Sequence, residues 1–137
     1  MPTSFHLAYH VRDLEESRAF YGSVLGCREG RSTDTWVDFD FFGHQISLHQ
    51  GEPFPVTNTG KVGDHMVPMP HLGLVMAMND WEALAARLKE QQVDFVIPPS
   101  IRFQGQPGEQ AIMFLKDPSG NPIEVKGFRD LNKVYVQ

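Results

Sequence analysis

Apolar and polar residues follow one another along this chain in an order that runs through twice. Residues 5–11 are an apolar run leading to Asp13, which reads as a strand entering a helix. Asp13 with Glu16 three residues on fits a capping box, the aspartate accepting backbone N–H bonds at the helix start. Leu14, Tyr21, Val24 and Leu25 mark one helical face, and Gly26 ends it. From Thr35 to Phe41 the chain alternates. Trp36, Asp38 and Asp40 point one way and Val37, Phe39 and Phe41 the other, as in a strand. Gly43 makes a turn, and His44 to His49 is the next strand.

Residues 51–69 show no period. They contain Gly51, Pro53, Pro55, Gly60, Gly63 and Pro68, and are expected to be a linker or lid. The pattern then restarts. His71 to Met78 reads as a strand, Asn79 with Glu82 as a second capping box, and Trp81, Leu84, Ala85 and Leu88 as a helical stripe. A short strand at Phe95 to Ile97 is expected to stop at Pro98-Pro99. A polar loop through Gln104 and Gly108 leads to a strand at Ala111 to Leu115. Asp117-Pro118-Ser119-Gly120 is a turn, Asn121 to Lys126 the last strand, and the remainder a polar tail.

Each half therefore reads strand, helix, three strands, with modules at about 4–50 and 70–127 of one domain spanning 1–137. The halves correspond residue by residue. His6 matches His71 on the first strands. On the last strands Gly43 matches Gly120, and at the same spacing Ile46 matches Ile123, Ser47 matches Glu124 and Leu48 matches Val125. The fold class is α+β: two paired βαβββ modules sharing a concave mixed sheet, with helices on the outside.

Composition narrows the function classes. The chain has 137 residues, 41% hydrophobic and 21% charged, which suits a globular protein. A formal net charge of -5 argues against nucleic-acid binding, which needs clustered Lys and Arg. No apolar run is long enough for a membrane span, and Met1-Pro2-Thr3-Ser4 lacks the features of a signal peptide. The single cysteine, Cys27, excludes an internal disulfide and is expected to pack beside the first helix. A cytoplasmic location is the expectation.

The candidate chemistry lies on the apolar runs. A carboxylate in a buried strand is unfavourable unless it is paired or bound to metal, and Glu124 sits inside the last apolar run. His6, His71 and Glu124 together make a two-imidazole, one-carboxylate set suited to a divalent metal with open positions. His49 leaves the same strand face as Ser47, about 7 Å further along. It is a candidate acid/base near that metal. His10 shares the face of His6 and is a candidate pocket-floor residue. Arg102 and Phe103, read as part of the long loop, are candidates to select an anionic or aromatic group. Asp38, if buried, is a candidate partner of a ligating histidine, but alternation does not identify its face, and a solvated carboxylate is the favoured expectation.

The stretches "FHLAYHVRDLEESRAFYGSVLGC", "PHLGLVMAMNDWEAL" and "FLKDPSGNPIEVKGF" resemble the vicinal-oxygen-chelate superfamily. That group includes glyoxalase I, bleomycin-resistance proteins, fosfomycin-resistance thiol transferases and extradiol dioxygenases. The resemblance implies metal ligands at His6, His71 and Glu124. It also implies a fourth ligand position at Ser47, whose neutral hydroxyl is a poor ligand. Three protein ligands then leave open sites for a small substrate with two neighbouring oxygens. The implied cofactor is a divalent metal, Fe(II) favoured, with Mn(II), Ni(II) or Zn(II) as alternatives. Extradiol-type chemistry is favoured over glyoxalase-type isomerisation or thiol transfer. A non-catalytic drug- or metabolite-binding protein is the further alternative. The resemblance also implies a homodimer, in some members with a cleft completed across subunits.

Overall fold

The computed structural model describes residues 3–136. Met1 and Pro2, from the N-terminal stretch read above, and Gln137, the end of the polar tail, lie outside the described residues. The chain forms two compact units, Met1–Pro55 with Asp117–Asn121, and Val56–Lys116 with Pro122–Gln137. The fold is α+β, with mixed sheets in both units. Among the described residues no helix is long and apolar enough to cross a membrane.

In the first unit, strand β1 (His6–Val11) runs into helix α1 (Leu14–Arg18), which continues as a π-helical turn over Ala19–Val24. The Asp13 side chain accepts from the Glu16 amide, as the capping pattern predicts. Gly26 adopts φ +79 after the last turn, the left-handed conformation that ends helices. Strands β2 (Arg28–Ser32), β3 (Trp36–Phe41) and β4 (His44–Gln50) follow, and the sheet order is β1-β4-β3-β2 with β1 parallel to β4. One sheet face carries Val11, Val37, Phe39, Phe41, Ile46 and Leu48, buried against Leu14, Phe20, Tyr21 and Leu25 of the helical segment.

In the second unit, β7 (Leu72–Ala77), α2 (Met78–Glu90), β8 (Phe95–Arg102), β9 (Gln110–Lys116) and β10 (Pro122–Phe128) repeat this plan, in the order β7-β10-β9-β8 with β7 parallel to β10. The registers match across the copies. Leu7 pairs with Ile46 and Ala8 with Ser47; Leu72 pairs with Ile123 and Gly73 with Glu124. Trp81 of α2 packs its ring on Gly127, where any Cβ would lie 2.7 Å from the Trp81 side chain, and donates Nε1–H to the Val125 carbonyl.

Three expectations are corrected. Residues 51–69 are not a featureless linker: β5 (Thr57–Val62) and β6 (His65–Met69) form an antiparallel hairpin. Its hold is packing rather than alternation, since Val67 joins Ile97, Ile112 and Phe114, with Val62 against them. Helix α2 begins at Met78, with Ala77 as its cap residue, so Asn79 lies inside the first turn and caps nothing. Strand β7 passes straight into the helix and leaves no room for a separate cap loop. Strand β8 does not stop at Pro98-Pro99 but continues to Arg102. Those prolines sit where the register slips between Ile97 and Ser100, on the edge strand that tolerates a missing N–H. Arg102 is therefore a strand residue, not a loop residue.

Candidate metal centre

Residues paired across a ladder share a face, so the register maps the site. In the second unit Gly73, Glu124 and Phe114 form one row across β7, β10 and β9. Val75, Lys126 and Ile112 form the next row on that face. His71 immediately precedes β7 and reaches Glu124, its Nε2 lying 3.6 Å from Oε1. The His71 Nδ1 is 2.8 Å from the Pro68 carbonyl. A carbonyl only accepts, so Nδ1 carries a proton, and Nε2 is the nitrogen that faces Glu124. The edge of the same imidazole rests on Phe114, with ring centroids 4.9 Å apart.

Glu124 is only 6% exposed. Its Oε1 lies near His71 and, at 3.9 Å, Lys126 Nζ, whereas its Oε2 is buried without a hydrogen-bond partner among the described residues. Gly73, beside it in register, has no side chain to cover it. A buried carboxylate oxygen without a donor is unfavourable in a finished core. An imidazole nitrogen and a carboxylate are donor types that divalent cations accept. The second unit therefore fits a metal with two of the three predicted ligands.

The matching place in the first unit is closed. Ser47 Oγ donates to Asp38 Oδ1 at 2.5 Å, and Gln45 Nε2 donates to Asp38 Oδ2 at 3.2 Å. Arg31 lies 4.0 Å from the same carboxylate. Asp38 is thus buried and engaged, not a solvated carboxylate. It holds the Ser47 hydroxyl rather than a ligating histidine.

The remaining predicted residues are placed as follows. His6 is exposed on β1, in the first unit. His10 is exposed on the same strand; its carbonyl accepts from Asn121 Nδ2, and its ring lies against Gly51. His49 is half-buried, its ring 6.3 Å from that of Trp36. The Arg102 guanidinium stacks 4.6 Å over the Phe103 ring. Among the described residues no three His, Cys, Asp or Glu side chains gather as a metal-holding group. A polar groove bordered by Asp13, Arg18, Asp34 and Gln50 contains none of the predicted site residues.

The Asp117-Pro118-Ser119-Gly120 turn holds more than its turn pattern predicts. Asp117 Oδ1 accepts from the Ser119 and Asn121 amides, and Oδ2 from Asn121 Nδ2 and the Tyr21 hydroxyl. Tyr9 and Tyr21 hydroxyls meet at 2.5 Å. Burial, first of all, pushes both phenols well above their usual range, and the Asp117 charge adds to it. Ser119 and Asn121 are local partners of Asp117, but Tyr21 lies 96 positions away, beyond the reach of any local pattern.

The family model of the Glyoxalase/Bleomycin resistance protein/Dioxygenase superfamily matches residues 3–125, and the chain belongs to that superfamily. A glyoxalase/bleomycin resistance protein/dioxygenase from Alicyclobacillus acidocaldarius is 30% identical, with a TM-score of 0.81 over 97% of this chain and 96% of that one. A fosfomycin resistance protein from Listeria monocytogenes, solved as a mutant with Mn(II) and 1S,2S-dihydroxypropylphosphonic acid, shares the fold. It is 17% identical, with a TM-score of 0.66 over 99% of this chain and 97% of that one. An integron cassette protein from the mobile metagenome of V. cholerae is 24% identical, with a TM-score of 0.61 over 93% and 96%. No curated protein matches the chain.

Proposed function

We propose that this chain is a divalent-metal-dependent enzyme acting on a small substrate through two neighbouring oxygens, with extradiol-type ring opening as its reaction class. The observation that supports the reading is the buried Glu124 carboxylate, whose Oε1 lies 3.6 Å from His71 Nε2 and whose Oε2 has no hydrogen-bond partner among the described residues. His6, the repeat equivalent of His71, is the third ligand. Ser47 stays outside the set because a neutral hydroxyl is a poor ligand beside imidazole and carboxylate; its proton is given to Asp38. Two imidazoles and one carboxylate leave open positions, the arrangement used by non-haem Fe(II) oxygenases. When bound there, the metal supplies Lewis acidity to both substrate oxygens and, as Fe(II), a place for dioxygen.

The protein's own groups do the rest. Pro68 fixes the His71 tautomer. Phe114 walls the imidazole against water. His49 takes the substrate hydroxyl proton and returns it. His10, Ser47, Arg102 and Phe103 are the substrate-binding candidates, and the Arg102–Phe103 stack suits a planar or anionic group. Fe(II) is the resident metal, ahead of Mn(II), Ni(II) and Zn(II). The working form is a cytoplasmic homodimer.

The test is oxygen uptake with catechols by protein loaded anaerobically with Fe(II). Uptake that is lost in His49→Ala with metal retained supports the assignment. Bound metal without uptake redirects it to isomerase or transferase chemistry, assayed on the same preparation with methylglyoxal and glutathione. Absence of metal uptake leaves the binding-protein alternative.

A further inference from the structure

We propose that Lys126 is the subsite for an acidic group of the substrate, next to the two oxygens held at the His71–Glu124 centre. The inference rests on the metal reading above and deepens it. Lys126 follows Glu124 by two positions on β10, so both side chains leave the same sheet face. The ammonium lies 3.9 Å from Glu124 Oε1, and the side chain is 37% exposed. It is anchored at the centre and still open to a ligand.

Register fixes its surroundings. Val75 and Ile112 flank it in its row, and Glu124 and Phe114 occupy the row beside it. Among the described residues Glu124 is the one carboxylate paired with Lys126. A cation bound by Glu124 takes over that carboxylate's charge. The part-exposed ammonium then lacks a nearby counter-ion, which favours an incoming anion.

Charge balance agrees. A dication with one carboxylate and two neutral imidazoles carries one net positive charge, and Lys126 adds a second. A substrate bearing an acidic group beside its chelating oxygens answers both charges; a bare diol answers them less completely. Arg102 is a weaker choice for this role, because its guanidinium is already stacked on Phe103.

The experiment compares two ligands that differ by one carboxylate, catechol and 2,3-dihydroxybenzoate, titrated calorimetrically into Mn(II)-loaded full-length protein. Lys126→Met is expected to weaken 2,3-dihydroxybenzoate about fivefold and catechol less than about twofold, the size of one partly exposed charge contact. Lys126→Arg should restore 2,3-dihydroxybenzoate binding. Mn(II) affinity, read by electron paramagnetic resonance, should stay within about threefold in both variants, which also shows that they fold. Equal losses for both ligands, or no loss for either, with Mn(II) still bound, overturn the Lys126 subsite and leave the metal reading standing. Failure of wild-type protein to bind Mn(II) overturns the metal reading and the subsite together.

Discussion

In the first unit, Asp38 and Asp117 are buried carboxylates with both oxygens of each engaged by donors. In the second unit, Glu124 occupies the place that Ser47 holds in the first, is equally buried, and keeps one oxygen without a partner. The strand order and register are the same in both copies, so the backbone does not explain the difference. The side chains do. Asp38 on β3 gives Ser47 an acceptor, whereas the corresponding neighbour of Glu124 on β9 is Phe114, which has no hydrogen to donate to a carboxylate. One copy uses its polar residues to close a core, and the other keeps an acceptor open. An open acceptor next to an imidazole is the mark of a site.

Breaking the closed side should damage folding and spare metal binding. Asp117→Ala strands four donors at once, and stability to urea should fall by about 3–5 kcal/mol. Asp38→Ala leaves the buried Ser47 hydroxyl without its acceptor, while the exposed Gln45 turns to solvent, and should lower stability by about 1–3 kcal/mol. If either variant loses metal affinity while remaining folded, the division between the copies is wrong.

On the open side the sign reverses. Glu124→Gln in metal-free protein removes a buried charge with an unpaired oxygen, and should leave stability unchanged or raise it by about 1 kcal/mol. Chemical denaturation of the metal-free forms decides this, and a loss of several kcal/mol would mean that Glu124 is a structural carboxylate after all.

The smallest effect is in alkali. Tyr9 and Tyr21 have folded pKa values raised above the unfolded value of about 10. Their protons are therefore held by the folded chain and lost first by the unfolded one as pH climbs. The stability they contribute is present below about pH 10 and declines above it. Ultraviolet titration should show two of the three tyrosines unionised until the protein unfolds. Ionisation of all three in the folded protein contradicts the buried Tyr9–Tyr21–Asp117 chain.

The repeat was legible because it is written in residues that face a core: the alternation of β3, the stripe of α2, and the matched Ile46/Ile123 and Ser47/Glu124 pairs. Strand β2, Arg-Glu-Gly-Arg-Ser, has every residue exposed and so leaves no alternation to read. The β5–β6 hairpin escaped for a related reason. Its glycines and prolines signal a loop, while Val62 and Val67, which hold it down, act through packing on distant residues. At the site, His71 and Glu124 were legible as candidates from their places in apolar runs, the internal repeat and the family resemblance. The roles of Pro68, Asp38 and Lys126 depend on neighbours across strands, which one-dimensional spacing does not carry.

The central claim is that Glu124 and His71 are open because they hold a divalent metal. Equilibrium dialysis of purified, metal-free protein against Fe(II) under anaerobic conditions, followed by metal analysis, tests it most directly. The account predicts one metal per chain in wild type, and affinity reduced by at least about 100-fold in His6→Ala, His71→Ala and Glu124→Ala. Wild-type protein that binds no Fe(II), Mn(II), Ni(II) or Zn(II), or a Glu124→Ala variant that binds as tightly as wild type, contradicts it.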